Sequence, residues 1–182
     1  HFHFEKQFMD APTQVGGVNR LLRDPGCCVV MDVGGDDIGA RAVGGYAPML
    51  GRENTAVYYV VNAYRPWSLD IEHIDGTISK ILRVTHLQLP RLRFVANPNN
   101  GVHTTRQEFE EGLLKTRKML EPYCQLEFAT IRRALHTGER ETNELPVLPL
   151  ELRLVYPWLR EEKSFAQPST GTARIRMRRL RM

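Results

Sequence analysis

The chain has 182 residues, 42% hydrophobic and 25% charged, which excludes a disordered polymer and fits one globular domain with its own core. Its 25 Lys and Arg against 21 Asp and Glu give +4, but six of the basic groups (Lys163, Arg174, Arg176, Arg178, Arg179 and Arg181) follow residue 162 with no acid among them. Residues 1–162 therefore hold 19 basic and 21 acidic groups, net −2, which excludes a body that binds nucleic acid through net charge.

In chain order, the amino-terminal His-Phe-His-Phe-Glu-Lys lacks the basic and apolar regions of a signal peptide, and no apolar run approaches the roughly 18–20 residues of a membrane span. A cytoplasmic chain is expected. It starts at His1 rather than Met, which reads as a processed chain or a fragment of a longer one. After the breaker Asp24-Pro25-Gly26, residues 27–31 (Cys-Cys-Val-Val-Met) form a continuous apolar run that predicts a first strand. Cys27, Cys28 and Cys124 lack metal-ligand spacing, and the adjacent pair is expected to pack as small hydrophobes in a reduced compartment.

Residues 56–61 predict a second strand, ending at Asn62, and residues 92–96 a third, between Pro90 and Asn97-Pro98. Residues 125–130 and 152–156 predict a fourth and a fifth. Continuous rather than alternating apolarity points to a parallel sheet covered on both faces. Between Ser68 and Thr85, Ile71, Ile74, Ile78, Ile81 and Leu82 share one helical face, with Ser68 as cap and Asp70 and Glu72 in the first turn. Thr105 and Glu108 have capping-box spacing, and the helix they open turns Phe109, Leu113 and Leu120 inward before stopping near Pro122. Strand starts 29, 36 and 33 residues apart have the length of βαβ units. The class is α/β, a doubly wound, mainly parallel sheet with helices on both faces, over residues 1–162. Residues 163–182 fit neither a helical nor a strand period, which predicts a basic, disordered tail.

The segment from Val29 to Ala40 (VVMDVGGDDIGA) holds the most chemistry. An apolar strand ending in Asp32 would place a carboxylate at the carboxyl edge of a parallel sheet, where ligands bind and where Mg²⁺ takes oxygen ligands. Gly34 and Gly35 would let the backbone approach a phosphate. The plainer alternative is a tight turn capped by acids. Asn62 and Asn97 each follow an apolar strand, and an amide there offers the donor and acceptor that suit a purine edge; the plainer alternative is that each makes its turn.

In these motifs the sequence resembles the MinD/ParA-like branch of P-loop nucleotide-binding proteins, and within it a bacterial group with a DVGGDDxGA strand. That motif stands at Asp32 to Ala40, preceded by Asp10-Ala11-Pro12. It is followed by Val60 to Pro66, by Asn97, Asn99, Gly101, Thr104 and Thr105, and by Tyr156-Pro157-Trp158. The likeness runs over roughly residues 8–160. It implies a P-loop NTPase-like fold binding ATP and Mg²⁺, with Asp32 as the catalytic Walker B carboxylate and metal ligand, Gly34 and Gly35 near the γ-phosphate, and Asn97 at the adenine. It also implies nucleotide as partner and face-to-face pairing into a homodimer.

The chain departs from the family in one respect. It contains no GxxxxGK[ST], and none of its five lysines follows a glycine. In the family that loop lies on an amino-terminal strand and helix, so the sheet is expected to keep an unpaired edge that a dimer or a protein partner would cover. ATP is expected to bind weakly or not at all. The alternative function is a non-catalytic interaction module, binding a protein partner through the sheet edge, and nucleic acid or an anionic membrane through Arg174 to Arg181. Because Arg outnumbers Lys throughout, an incidental tail is the favoured reading of those arginines.

Overall fold

The computed structural model describes residues 18–138 and 145–153. Residues up to Leu150 belong to one compact unit, and those from Glu151 to a second, of which 151–153 are described. In chain order the elements are α1 (Val18–Arg23), α2 (Asp37–Arg41), α3 (Ala47–Leu50), β1 (Val57–Val61), α4 (Ile71–Thr85), β2 (Leu92–Ala96), α5 (Arg106–Leu120), β3 (Leu126–Arg132) and β4 (Val147–Leu150).

The four strands form one sheet in the order β1-β2-β3-β4, all parallel. The α/β class is as expected. Val57 pairs with Leu92 and Val61 with Ala96, while a register shift between Phe94 and Val95 leaves Glu127 as an extra residue on β3. Each strand lies beside its predecessor in sequence, and right-handed crossovers that advance one way put their helices on one face. The cores agree. Val61 and Phe94 pack with Ile74 and Ile78 of α4 and Leu120 of α5, and Ala96, Ala129 and Ile131 pack with Phe109 and Leu113 of α5. A doubly wound sheet needs a reversal of strand order, and the described strands show none.

The opposite face is partly open. Tyr58 is 44% exposed, Val60 53%, Leu148 49% and Leu150 39%. Tyr58 meets Phe128 edge-on at 5.6 Å, and Glu127 Oε1 accepts from the Tyr58 hydroxyl at 3.2 Å and from Arg93 at 3.3 Å.

Three local expectations change. Residues 27–31 are not a strand: they run outside regular structure, and Cys27 and Cys28 are exposed rather than packed. An apolar run becomes a strand only when another strand supplies its hydrogen bonds, and this one has no such neighbour among the described residues. Of the strand expected at residues 152–156, Leu152 and Arg153 are outside regular structure and 154–156 lie outside the described residues; the last described strand is Val147–Leu150, which was not expected. Pro149 hides that strand from a propensity reading, yet proline is tolerated on a sheet edge. The cap of α4 is Asp70, whose Oδ1 accepts the His73 backbone N–H at 2.9 Å, while Ser68 is buried in a preceding 3-10 turn. The basic tail lies outside the described residues. No described helix is long and apolar enough to cross a membrane.

Candidate functional site

The carboxyl ends of β1, β2 and β3 gather the loops where a ligand of an α/β sheet would sit. β1 ends at Val61 and passes into Asn62, and β2 ends at Ala96 and passes into Asn97, because a buried apolar strand must leave the core through residues that satisfy their own backbone. Asn62 binds two loops at once. Its Oδ1 accepts the backbone N–H of Tyr64 at 3.1 Å and of Asn99 at 3.2 Å, and its Nδ2 donates to the Asn99 carbonyl at 2.9 Å. An amide with three bonds made has little left for a purine edge. For Asn62, the turn-making alternative is what the geometry displays.

Asn97 differs. Its backbone N–H donates to the Val61 carbonyl at 2.8 Å and its Oδ1 accepts from Asn99 Nδ2 at 3.3 Å, but its own Nδ2 has no partner among the described residues. Asn99 is the hub that sequence reasoning left out of the site: its Oδ1 also accepts the Gly101 N–H at 3.1 Å. Gly101 takes φ +88°, which favours glycine, and Thr104 then closes the loop by donating to the Gly101 carbonyl at 2.7 Å and accepting the Asn100 N–H at 2.9 Å.

Cations surround this loop cluster, also unread from sequence. Arg132, at the end of β3, donates to the Val102 carbonyl, and Lys115 Nζ donates to the Ala63 carbonyl at 3.3 Å. Tyr64 donates its hydroxyl to the Glu108 carbonyl at 2.5 Å, and burial and then the nearby Glu111 and Glu108 push its pKa up. The signal for these residues was weak, since each partner lies 30 or more residues away in sequence.

The acidic motif forms a separate arrangement. Asp36 caps α2 by accepting the Gly39 N–H at 2.7 Å. Gly34 and Gly39 touch through their backbones: a Cβ on Gly34 would lie 2.9 Å from Gly39 Cα, and one on Gly39 would lie 2.6 Å from Gly34 Cα. Those glycines fold the loop onto the first turn of α2. Gly35 has open space where a Cβ would be. Asp32 is exposed, and its carboxylate has no hydrogen bond or ion pair among the described residues. No hydrogen bond joins Asp32, Gly34 or Gly35 to Asn62 or Asn97, so the candidate residues fall into two groups.

Whether these groups fit Mg-ATP is a question of charge. One free carboxylate can bind Mg²⁺ when phosphate oxygens and water complete the shell. A triphosphate needs N–H groups and a cation, and the three helix starts with side-chain caps are taken. Asp36 occupies the start of α2 and Asp70 that of α4. At α5, Glu108 Oε2 accepts the Thr105 N–H at 2.7 Å while the Thr105 hydroxyl accepts the Glu108 N–H at 3.2 Å. These residues alone do not fit a triphosphate. Among the described residues, no three His, Cys, Asp or Glu side chains converge as a metal site.

Compared with protein-family models, curated proteins and solved structures, the chain has no match.

Proposed function

We propose a nucleotide-binding fold of MinD/ParA-like type, whose residues here hold Mg-ATP weakly or not at all. The observation that carries this reading is the convergence of the Asn62, Asn97 and Asn99 loops at the carboxyl edge of parallel strands, the place where α/β sheets take ligands. Asn97 is the residue for adenine, because its amide nitrogen is free to donate. Asp32 is the residue for Mg²⁺, because its carboxylate has no other bond to give up. Gly34 and Gly35 serve the turn that follows Asp32. With Asp36, Asp70 and Glu108 already seated at the starts of α2, α4 and α5, added phosphate meets acids rather than donors. Hydrolysis of ATP by these residues alone is not part of the reading.

Isothermal titration of the 182-residue chain with Mg-ATP tests it. Heat too small to define a binding isotherm is expected. Micromolar affinity would overturn the weak-binding reading, and retention of that affinity in Asp32→Asn and Asn97→Ala would overturn the residue assignments.

A non-catalytic interaction module is the second reading. The open apolar sheet face with Tyr58, Val60, Leu148 and Leu150 favours it, since parallel sheets ordinarily bury both faces.

A further inference from the structure

The strand β1 lies at one edge of the sheet, and its outer side pairs with nothing among the described residues. Its sequence, Val57-Tyr58-Tyr59-Val60-Val61, has no proline, lysine or bulge to blunt that edge, whereas the opposite edge strand carries Pro149. The same chain holds a second unsatisfied element. Residues 27–33 (Cys-Cys-Val-Val-Met-Asp-Val) lie outside regular structure, with Val30 89% exposed, and beyond the Cys27 N–H no backbone amide in the run makes a described hydrogen bond.

The connector between the two is already docked. α2 packs against α4. At Gly44 the backbone sits so close that a Cβ would lie 2.4 Å from the Val84 carbonyl oxygen. Arg91 Nη2 donates to the carbonyls of Leu50, Arg52 and Thr55 at 3.4, 2.6 and 3.0 Å, which pins the stretch before β1. With the connector in place, the run still stands free of its own sheet.

We propose that two copies of this chain associate by exchanging residues 27–33, each run adding in parallel to the outer edge of β1 in the other copy. Strand addition supplies the missing hydrogen bonds of both elements and brings Val30 out of water. Charge fixes the direction. The run ends at Asp32, and β1 is followed by Arg65, an exposed side chain without a bond among the described residues. Parallel addition brings these opposite charges to the same end of the sheet, while antiparallel addition carries Asp32 to the end of β1 that follows Glu53. Exchange is reciprocal, so the pair closes on itself as a two-fold dimer rather than growing into a filament. The association needs no nucleotide, which separates it from the nucleotide reading above.

Sedimentation velocity of the full chain, without nucleotide and over a wide range of concentration, tests the exchange. A monomer–dimer equilibrium is expected, abolished by Val30→Lys. That side chain projects into solvent in the monomer, so the thermal transition of the variant, recorded by circular dichroism, stays in place. Arg65→Asp weakens the dimer, and Asp32→Arg with Arg65→Asp restores it. A monomer at every concentration, a dimer that Val30→Lys leaves intact, or a double charge reversal that fails to restore association would each overturn the proposal.

Discussion

A single amide, that of Asn62, ties the loop after β1 to the loop after β2. Removing it strands the Asn99 N–H and carbonyl at the carboxyl edge, and an unmet polar group costs about 1–3 kcal/mol. Asn62→Ala should lose stability of that order in urea unfolding, and Asn62→Asp should recover little of it, because its second carboxylate oxygen would face the Asn99 carbonyl where the amide nitrogen donates. Gly112 sets two residue-scale effects against each other. Gly to Ala inside a helix ordinarily gains about 1 kcal/mol. Here the new methyl would lie 2.6 Å from Pro98 Cβ and 2.7 Å from Tyr64 Cε2, and overpacking of that kind costs about 1–3 kcal/mol. Gly112→Ala is therefore expected to destabilise the protein and to push Tyr64 away from α5, read as a lowered midpoint in urea unfolding.

At the scale of elements, the start of α5 was legible because a capping box is local, and Thr105 and Glu108 needed only their spacing, whereas at α4 the cap fell to Asp70 rather than the expected Ser68. The strands β1, β2 and β3 were legible as short apolar runs, but residues 27–31 have the same look and are not a strand. What distinguishes them is a partner, and a partner is not a local property. The candidate site was legible in part for the same reason. Asn62 and Asn97 stand where apolar runs end, yet the bonds that occupy Asn62 come from a loop 37 residues away. The caps carry a pH dependence whose sign follows from their acids. The Thr105 N–H, then the Asn100 amide and the Thr105 hydroxyl, hold the Glu108 carboxyl below its usual range, and the His73 N–H followed by the His73 ring does so for Asp70. A depressed carboxyl contributes stability above its unfolded pKa of about 4 and loses it as pH falls through the lower folded value. Unfolding midpoints measured from neutral to acid pH should therefore drop below pH ~4, and the drop should be shallower in Asp70→Asn with Glu108→Gln. Thr105→Ala should cost about 1 kcal/mol at neutral pH.

For the whole molecule, charge placement outweighs charge total. Neutral-pH attraction to a polyanion would have to come from residues after 162, since the rest of the chain is net −2. The last nine residues hold Arg174, Arg176, Arg178, Arg179 and Arg181, while the sheet's carboxyl edge has spent Arg132 and Lys115 on backbone carbonyls. Replacing those five arginines with glutamine takes the chain from +4 to −1 without shortening it or touching a described residue. Contacts to polyanion charges release counterions and weaken steeply with salt. The native chain should thus be retained on heparin at low ionic strength and elute early in a salt gradient, and the five-fold variant should pass through. Thermal unfolding of the variant, recorded by circular dichroism and expected to be unchanged, separates lost charge from lost fold. Retention of the variant equal to that of the native chain would place the anion-binding charge on the body instead, with Arg65 the first residue to replace.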